Sequence, residues 1–270
     1  LSKMCGSGMR AAMFAHDMLL AGSHEVLVAG GMESMTNAPY LLPKARGGYR
    51  LGHERIFDHM MLDGLEDAYE AGRSMGTFGE DCAAKYGFTR DQQDNFAIAS
   101  VQRAQAAIKS GAFEAEIAPV TVKGRAGDTL ISVDEGPGKA KLEKIPALKP
   151  AFKKDGTITA ASSSSINDGA AAMVLMTAST AARLGCTPLA RIVAHATHAQ
   201  EPEWFATAPV GATQKVLAKA GWAVGEVDLW EVNEAFAVVP MALMKELGVP
   251  FEKVNVNGGA CALGHPIGAS

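Results

Sequence analysis

The 270-residue sequence predicts a layered α/β protein in which helices cover sheets. Two features carry that reading. Short apolar runs that end at glycines suit strands, and segments with apolar residues every three or four positions suit helices. The two kinds alternate in both end portions, whereas the middle, roughly residues 36–160, is mixed. Composition agrees: 48% hydrophobic and 20% charged residues describe a globular chain. Twenty-five basic against twenty-nine acidic side chains give a formal charge of −4, which argues against a nucleic-acid surface. No apolar run approaches the ~20 residues of a membrane span. Nothing at the start resembles a signal peptide, so the expectation is a cytoplasmic protein. The chain opens on Leu1 and closes on Ser270 inside a glycine-rich run, and it reads as an internal piece of a longer protein.

Residues 8–21 carry Met9, Ala12, Met13, His16 and Leu19 at helical spacing, with Gly22 as terminator. Residues 25–30 read as a buried strand, and residues 36–55, rich in proline and glycine, as a loop and a candidate subunit contact. Helices are expected over 57–69, 75–86 and 89–111, the last capped by Thr89 with Asp91 in its first turn. Strands are expected at 117–122 and 129–133, a loop over 134–148, a buried strand at 169–176 and a helix at 180–184. A second α/β stretch follows: strands at 189–194, 227–232 and 254–256, and helices at 209–220 and 234–247.

Four cysteines, Cys5, Cys82, Cys186 and Cys261, are too few for a disulfide scaffold in a chain this long, and no CxxC spacing points to zinc. Cys5 lies in Met4-Cys5-Gly6-Ser7-Gly8, where a helix begins. Unpaired N–H groups and the positive helix end there favour a thiolate, and the glycines let a large substrate approach. The alternative is a small buried apolar residue. His265, in Gly264-His265-Pro266-Ile267-Gly268, is embedded in glycines that strip the backbone for close approach; otherwise it caps a turn. A distant Cys and His can pair in space, the imidazole taking the thiol proton. Asn233, in Asn233-Glu234-Ala235-Phe236, is either an N-cap or an amide pointing into a site at a strand end.

Taken in order, Cys5-Gly6-Ser7-Gly8, Asn233-Glu234-Ala235-Phe236 and Gly264-His265-Pro266-Ile267-Gly268 resemble the thiolase family. The resemblance covers the whole chain, through Gly30-Gly31-Met32-Glu33-Ser34-Met35, Met75-Gly76-Thr77, Ser165-Ile166-Asn167-Asp168-Gly169 and Asn255-Val256-Asn257-Gly258-Gly259. It implies an α-β-α-β-α architecture of two similar halves with an inserted α+β loop domain. Residues 1–35 and 166–187 would belong to the first half, 36–165 to the inserted, coenzyme A-binding domain, and 188–270 to the second half.

The resemblance also implies an enzyme performing Claisen-type acyl transfer: two acetyl-CoA give acetoacetyl-CoA and CoA, or the reverse. Cys5 would carry the acyl group and His265 would take its proton. His265 with a water held by Asn233 would form one oxyanion hole, and the Cys5 N–H would contribute to a second. Ser164 corresponds to a loop serine that touches the pantetheine, although Ala160-Ala161-Ser162-Ser163-Ser164-Ser165 departs from the common AGNASG. Met75, Ala235 and Phe236 would line the thioester pocket; Ser74 replaces a frequent histidine. Lys139, Lys141 and Lys144 could meet the nucleotide phosphates, or form a solvated face. No metal or resident cofactor is implied, since coenzyme A enters as substrate, and a homodimer or homotetramer is expected. The family's second cysteine, in a CxG motif, lies beyond Ser270, so the 270-residue piece is expected not to complete condensation. The competing readings are a broader-chain 3-ketoacyl-CoA thiolase, a ketoacyl synthase (against which Asn233-Glu234-Ala235-Phe236 speaks), a non-catalytic thiolase-like CoA- or lipid-binding protein and, remotely, a cysteine peptidase.

Overall fold

A computed structural model of the chain describes residues 1–125 and 127–270. In order its elements are α1 (Ser7–Leu20), β1 (Val26–Ser34), β2 (Tyr40–Leu41), β3 (Phe57–Asp58), α2 (Met75–Tyr86), α3 (Arg90–Ser110), β4 (Val120–Val122), β5 (Thr129–Ile131) and α4 (Glu135–Lys139). They continue with β6 (Asp168–Met176), α5 (Ala178–Leu184), α6 (Ala208–Ala220), α7 (Val238–Leu247) and α8 (Ala260–Leu263). The chain divides into two compact units. The first comprises residues 1–78, 166–222 and 265–270; the second comprises residues 79–165 and 223–264.

In the first unit β1 and β6 form an antiparallel ribbon, in register from Val26 opposite Met176 to Ser34 opposite Asp168. Helix α1 packs on β1 and covers one face, where Ala15 and Leu19 of the helix and Ala29 of the strand are buried. Val28 and Met32, whose side chains point the other way, are 72% and 75% exposed. Both strands were expected to be buried; in this chain the outer face of the ribbon is uncovered. The last residues, 265–270, lie across this layer. A Cβ on Gly8 would stand 2.2 Å from the Ala269 carbonyl oxygen, and one on Gly31 would stand 2.3 Å from that of Gly268. Met9 N–H donates to the Ser270 carbonyl (2.8 Å) and Gly268 N–H to Glu33 Oε2 (3.1 Å). The glycines at these two positions are therefore what allow the two backbones to meet.

The second unit is organised around α3. Thr89 Oγ1 accepts from Gln92 N–H while Gln92 Oε1 accepts from Thr89 N–H, a reciprocal cap, and Gly111 ends the helix at φ 75°. Phe96 packs with Ala237 and Met241, and Val101 and Ala104 pack with Ala262. The carboxylate of Glu234, wholly buried, accepts from Ser100 Oγ (2.7 Å), Asn255 Nδ2 (2.7 Å) and Cys261 N–H (3.0 Å). One side chain thereby ties α3 to the turns that carry residues 255 and 261. Asn255 also pairs with both backbone groups of Val232, at 2.7 and 2.8 Å, and adopts φ +46°, a left-handed conformation that asparagine tolerates.

Several local expectations change. Residues 57–69 form no regular α-helix: Phe57–Asp58 pairs with Tyr40–Leu41 and a π-turn covers Met61–Leu65. Residues 134–148, expected as loop, hold α4 and a 3-10 turn at Leu142–Ala147; Ile145 is buried there, and Arg90 donates to the carbonyls of Ile145 and Leu148 at 3.1 and 2.8 Å. The helix expected from 234 begins at Val238. Pro240 explains the delay: it has no N–H and its ring clashes with a helical carbonyl four residues back, so it is accommodated only in a first turn. The runs at 227–232 and 254–256 contribute one parallel bridge, Trp230 to Val254, and among the described residues 189–194 has no ladder partner. A strand-forming sequence needs a neighbour before it becomes a strand.

Two substitutions test this packing. Gly8→Ala forces apart backbones already in contact and should lower unfolding free energy in urea by about 1–3 kcal/mol. Glu234→Ala leaves three donors without an acceptor, each worth about 1–3 kcal/mol when unsatisfied, and should shift the midpoint further than Gly8→Ala. An unchanged midpoint for either variant contradicts the packing described.

Candidate active site

Cys5 occupies the 3-10 turn Met4–Gly6 that leads directly into α1. Ser7 fixes this turn: its Oγ accepts from Lys3 N–H (2.9 Å) and donates to the Met4 carbonyl (2.7 Å). Met4, at φ +49°, is one of two described non-glycine residues in the left-handed region; backbone strain therefore adjoins the cysteine. Cys5 is itself exposed, and two influences on its thiol oppose each other. Desolvation by the atoms around the sulfur raises its pKa above the ordinary thiol value, and a hydrogen bond to its own backbone N–H opposes this only in part.

His265 belongs to the same unit, and its segment is the one seated on the start of α1. Ser270 Oγ lies 3.2 Å from His265 Nδ1, while the Ser270 carbonyl accepts from Met9 N–H in the first turn of α1. Residue 270 thus links the imidazole to the helix that follows Cys5. The imidazole is buried, and burial lowers its pKa below the ordinary histidine value, so it is neutral at physiological pH. A neutral imidazole is the form that can accept a thiol proton when a substrate arrives.

Four more of the expected residues gather in the second unit. Ser164 N–H donates to the Ala235 carbonyl (3.0 Å), Ser163 and Phe236 form an antiparallel bridge, and Ala237 N–H donates to the Ser162 carbonyl (2.8 Å). The serine loop and the 233–237 turn, about seventy residues apart in sequence, are therefore laced together. Phe236 is buried and stacks edge-on against Phe152, with centroids 5.6 Å apart. Asn233 is exposed between buried Val232 and Glu234, and it caps no helix, because α7 begins at Val238 with Ala237 as its N-cap. Met75, half-buried at the first residue of α2, belongs to the first unit. Lys139 pairs with Glu135 one turn earlier in α4, and Lys141 and Lys144 are exposed.

Sequence reasoning gave no role to Ser270, which orients His265, nor to the hub formed by Glu234 with Ser100 and Asn255. A serine and a carboxylate carry no periodic signal, and their partners lie between 5 and 134 residues away. Cys82 and Cys261 are not chemical candidates: burial pushes Cys82 up to about 11 and Cys261 well above its ordinary value. Cys186 is exposed.

Comparison with known proteins fits this geometry. Residues 1–179 match the family described as Thiolase, N-terminal domain, and residues 186–270 match Thiolase, C-terminal domain. An acetyl-CoA acetyltransferase of Chromobacterium violaceum is 51% identical across the whole chain, which covers 69% of that protein. Acetyl-CoA acetyltransferase 2 of Arabidopsis thaliana is 49% identical, again across the whole chain and 68% of its own length. Among solved structures, an acetyl-CoA acetyltransferase from Syntrophomonas wolfei superposes with a TM-score of 0.93 at 42% identity, the chain covering 69% of it. The chain belongs to the thiolase family.

Proposed function

We propose acyl transfer on acetyl-CoA, the condensation of two molecules to acetoacetyl-CoA and CoA or the reverse thiolysis, through an acyl-cysteine on Cys5, with the residues of this chain supplying the acylation half. The observation that carries this reading is the seating of the His265 segment on the first turn of the helix that follows Cys5. The relatives' shared name supplies the substrate class.

In the first step Cys5 Sγ attacks the thioester carbonyl carbon. With Nδ1 holding its proton toward Ser270 Oγ, His265 Nε2 takes the thiol proton. The tetrahedral intermediate collapses, the carbon–sulfur bond to coenzyme A breaks, and the departing thiolate recovers that proton from His265. In the family's second step another acetyl-CoA gives up its α-proton to the second cysteine. Its enolate carbon bonds to the acyl carbon, and the acyl–sulfur bond breaks to release the Cys5 thiolate. Fixed donors around the enolate oxygen are worth about 3–4 kcal/mol each, and Asn233 with its water and His265 are assigned to it. Ser164, Ala235, Phe236 and Met75 are assigned to the pantetheine and thioester. These assignments need no resident metal or cofactor. A homodimer or homotetramer in the cytoplasm belongs to the same proposal. Among the described residues no helix is long and apolar enough to cross a membrane.

None of the four cysteines is followed by glycine two positions on, so the acylation half-reaction is the direct test for this chain. After incubation with acetyl-CoA, intact-mass and peptide mapping should find one acetyl group, on Cys5, and none in Cys5→Ala. His265→Ala should slow labelling by about 10²–10⁴-fold. Acetylation at exposed Cys186 instead of Cys5 would contradict the assignment. The pH profile follows from burial of the imidazole. His265 acts as base only when neutral, and its pKa lies below the ordinary 6.5. Labelling should therefore persist as pH falls to 6.5 and decline only beneath it, and His265→Ala should lack that decline.

A further inference from the structure

Away from these residues, the far end of α1 meets the irregular segment that precedes α6. Asp17 Oδ1 lies 2.8 Å from His195 Nε2 and 3.5 Å from His16 Nδ1, and the two imidazoles stand edge to face with centroids 5.2 Å apart. One ligand-type atom from each residue falls within 4.8 Å of the others. His16 Nδ1 is buried without a hydrogen bond of ordinary geometry. Bonds of about 2.0–2.2 Å at the tetrahedral angle place two ligand atoms of one zinc ion roughly 3.3 Å apart, a value between the two separations from Asp17. Both histidine side chains are 19% exposed, whereas Asp17 is 53% exposed, so the cluster is sheltered on one side and open to water on the other.

We propose that His16, Asp17 and His195 form a binding site for a divalent transition-metal ion of the zinc class, with water in the remaining position. Two imidazoles and one carboxylate suit zinc, cobalt, nickel or copper; magnesium and calcium favour all-oxygen sets. Lys219 Nζ donates to the His195 carbonyl at 3.0 Å and so helps hold that residue's backbone in place.

Nine residues of helical rise, about 1.5 Å each, separate His16 from Ser7, the start of α1 next to the Cys5 turn, by roughly 14 Å, so the ion takes no part in acyl transfer. Its effect is mechanical. Residues 190–200 have no helix or strand of their own, and the ion fastens them to α1. The sequence hides this site, since Asp17 and His195 are 178 positions apart.

Cobalt(II) added to the chelator-treated chain tests the proposal. Saturable visible d–d absorption without a thiolate-to-cobalt charge-transfer band is expected, at one ion per chain. His195→Gln and Asp17→Asn should each weaken binding at least about tenfold, the loss that removal even of an outer-shell partner brings, while Cys5→Ala binds normally. Zinc should raise the melting temperature of the wild-type chain and leave that of His195→Gln unmoved. If His195→Gln does not fold, Asp17→Asn carries the same readouts. A thiolate band, absence of cobalt absorption, or equal affinity in the folded variants overturns the proposal and leaves a hydrogen-bonded His–Asp–His cluster.

Discussion

One close approach, between the first turn of α1 and the segment 265–270, underlies the arrangement around Cys5 and His265. It is possible only because Gly8 and Gly31 present no Cβ to the carbonyls of Ala269 and Gly268. With the side chains gone, Met9 N–H reaches the Ser270 carbonyl and Ser270 Oγ reaches His265. The helix end thus gives up a backbone donor to hold the strip that carries the imidazole. A histidine placed this way is buried and neutral, which is what a general base must be before it can accept a proton.

The second unit solves a different problem, holding an irregular turn rigid without regular secondary structure. Residues 233–237 are neither helix nor ladder strand. They are fixed from one side by the serine loop at 162–164 and from the other by Glu234 reaching Ser100, Asn255 and Cys261. A buried carboxylate is costly unless its oxygens are satisfied, and once satisfied it specifies a single arrangement. Pro240 sharpens the outcome by denying the turn to the helix that follows.

Much of this was legible in the sequence. Helical spacing found α1, α3 and α6 to within a residue or two, and the Thr89–Gln92 cap and Gly111 marked the ends of α3 because capping is local chemistry. The three motifs carrying Cys5, Asn233 and His265 were visible as motifs. What escaped depends on partners. Residues 189–194 look like a strand but have no ladder among the described residues, and Ile145 looked like loop until α3 covered it. The environment of Cys5 depends on partners in the same way: the dipole of a helix start can be read from sequence, whereas the atoms that desolvate the sulfur and raise its pKa cannot.

That His265 is a buried, neutral base carried on the segment packed against the helix that follows Cys5 can be checked by NMR titration of its imidazole, before and after Cys5 is blocked by alkylation. The structure requires titration below 6.5 and a clear displacement of the imidazole resonances when the thiol is capped. An imidazole that titrates as in free solution, and is indifferent to the state of Cys5, would contradict it.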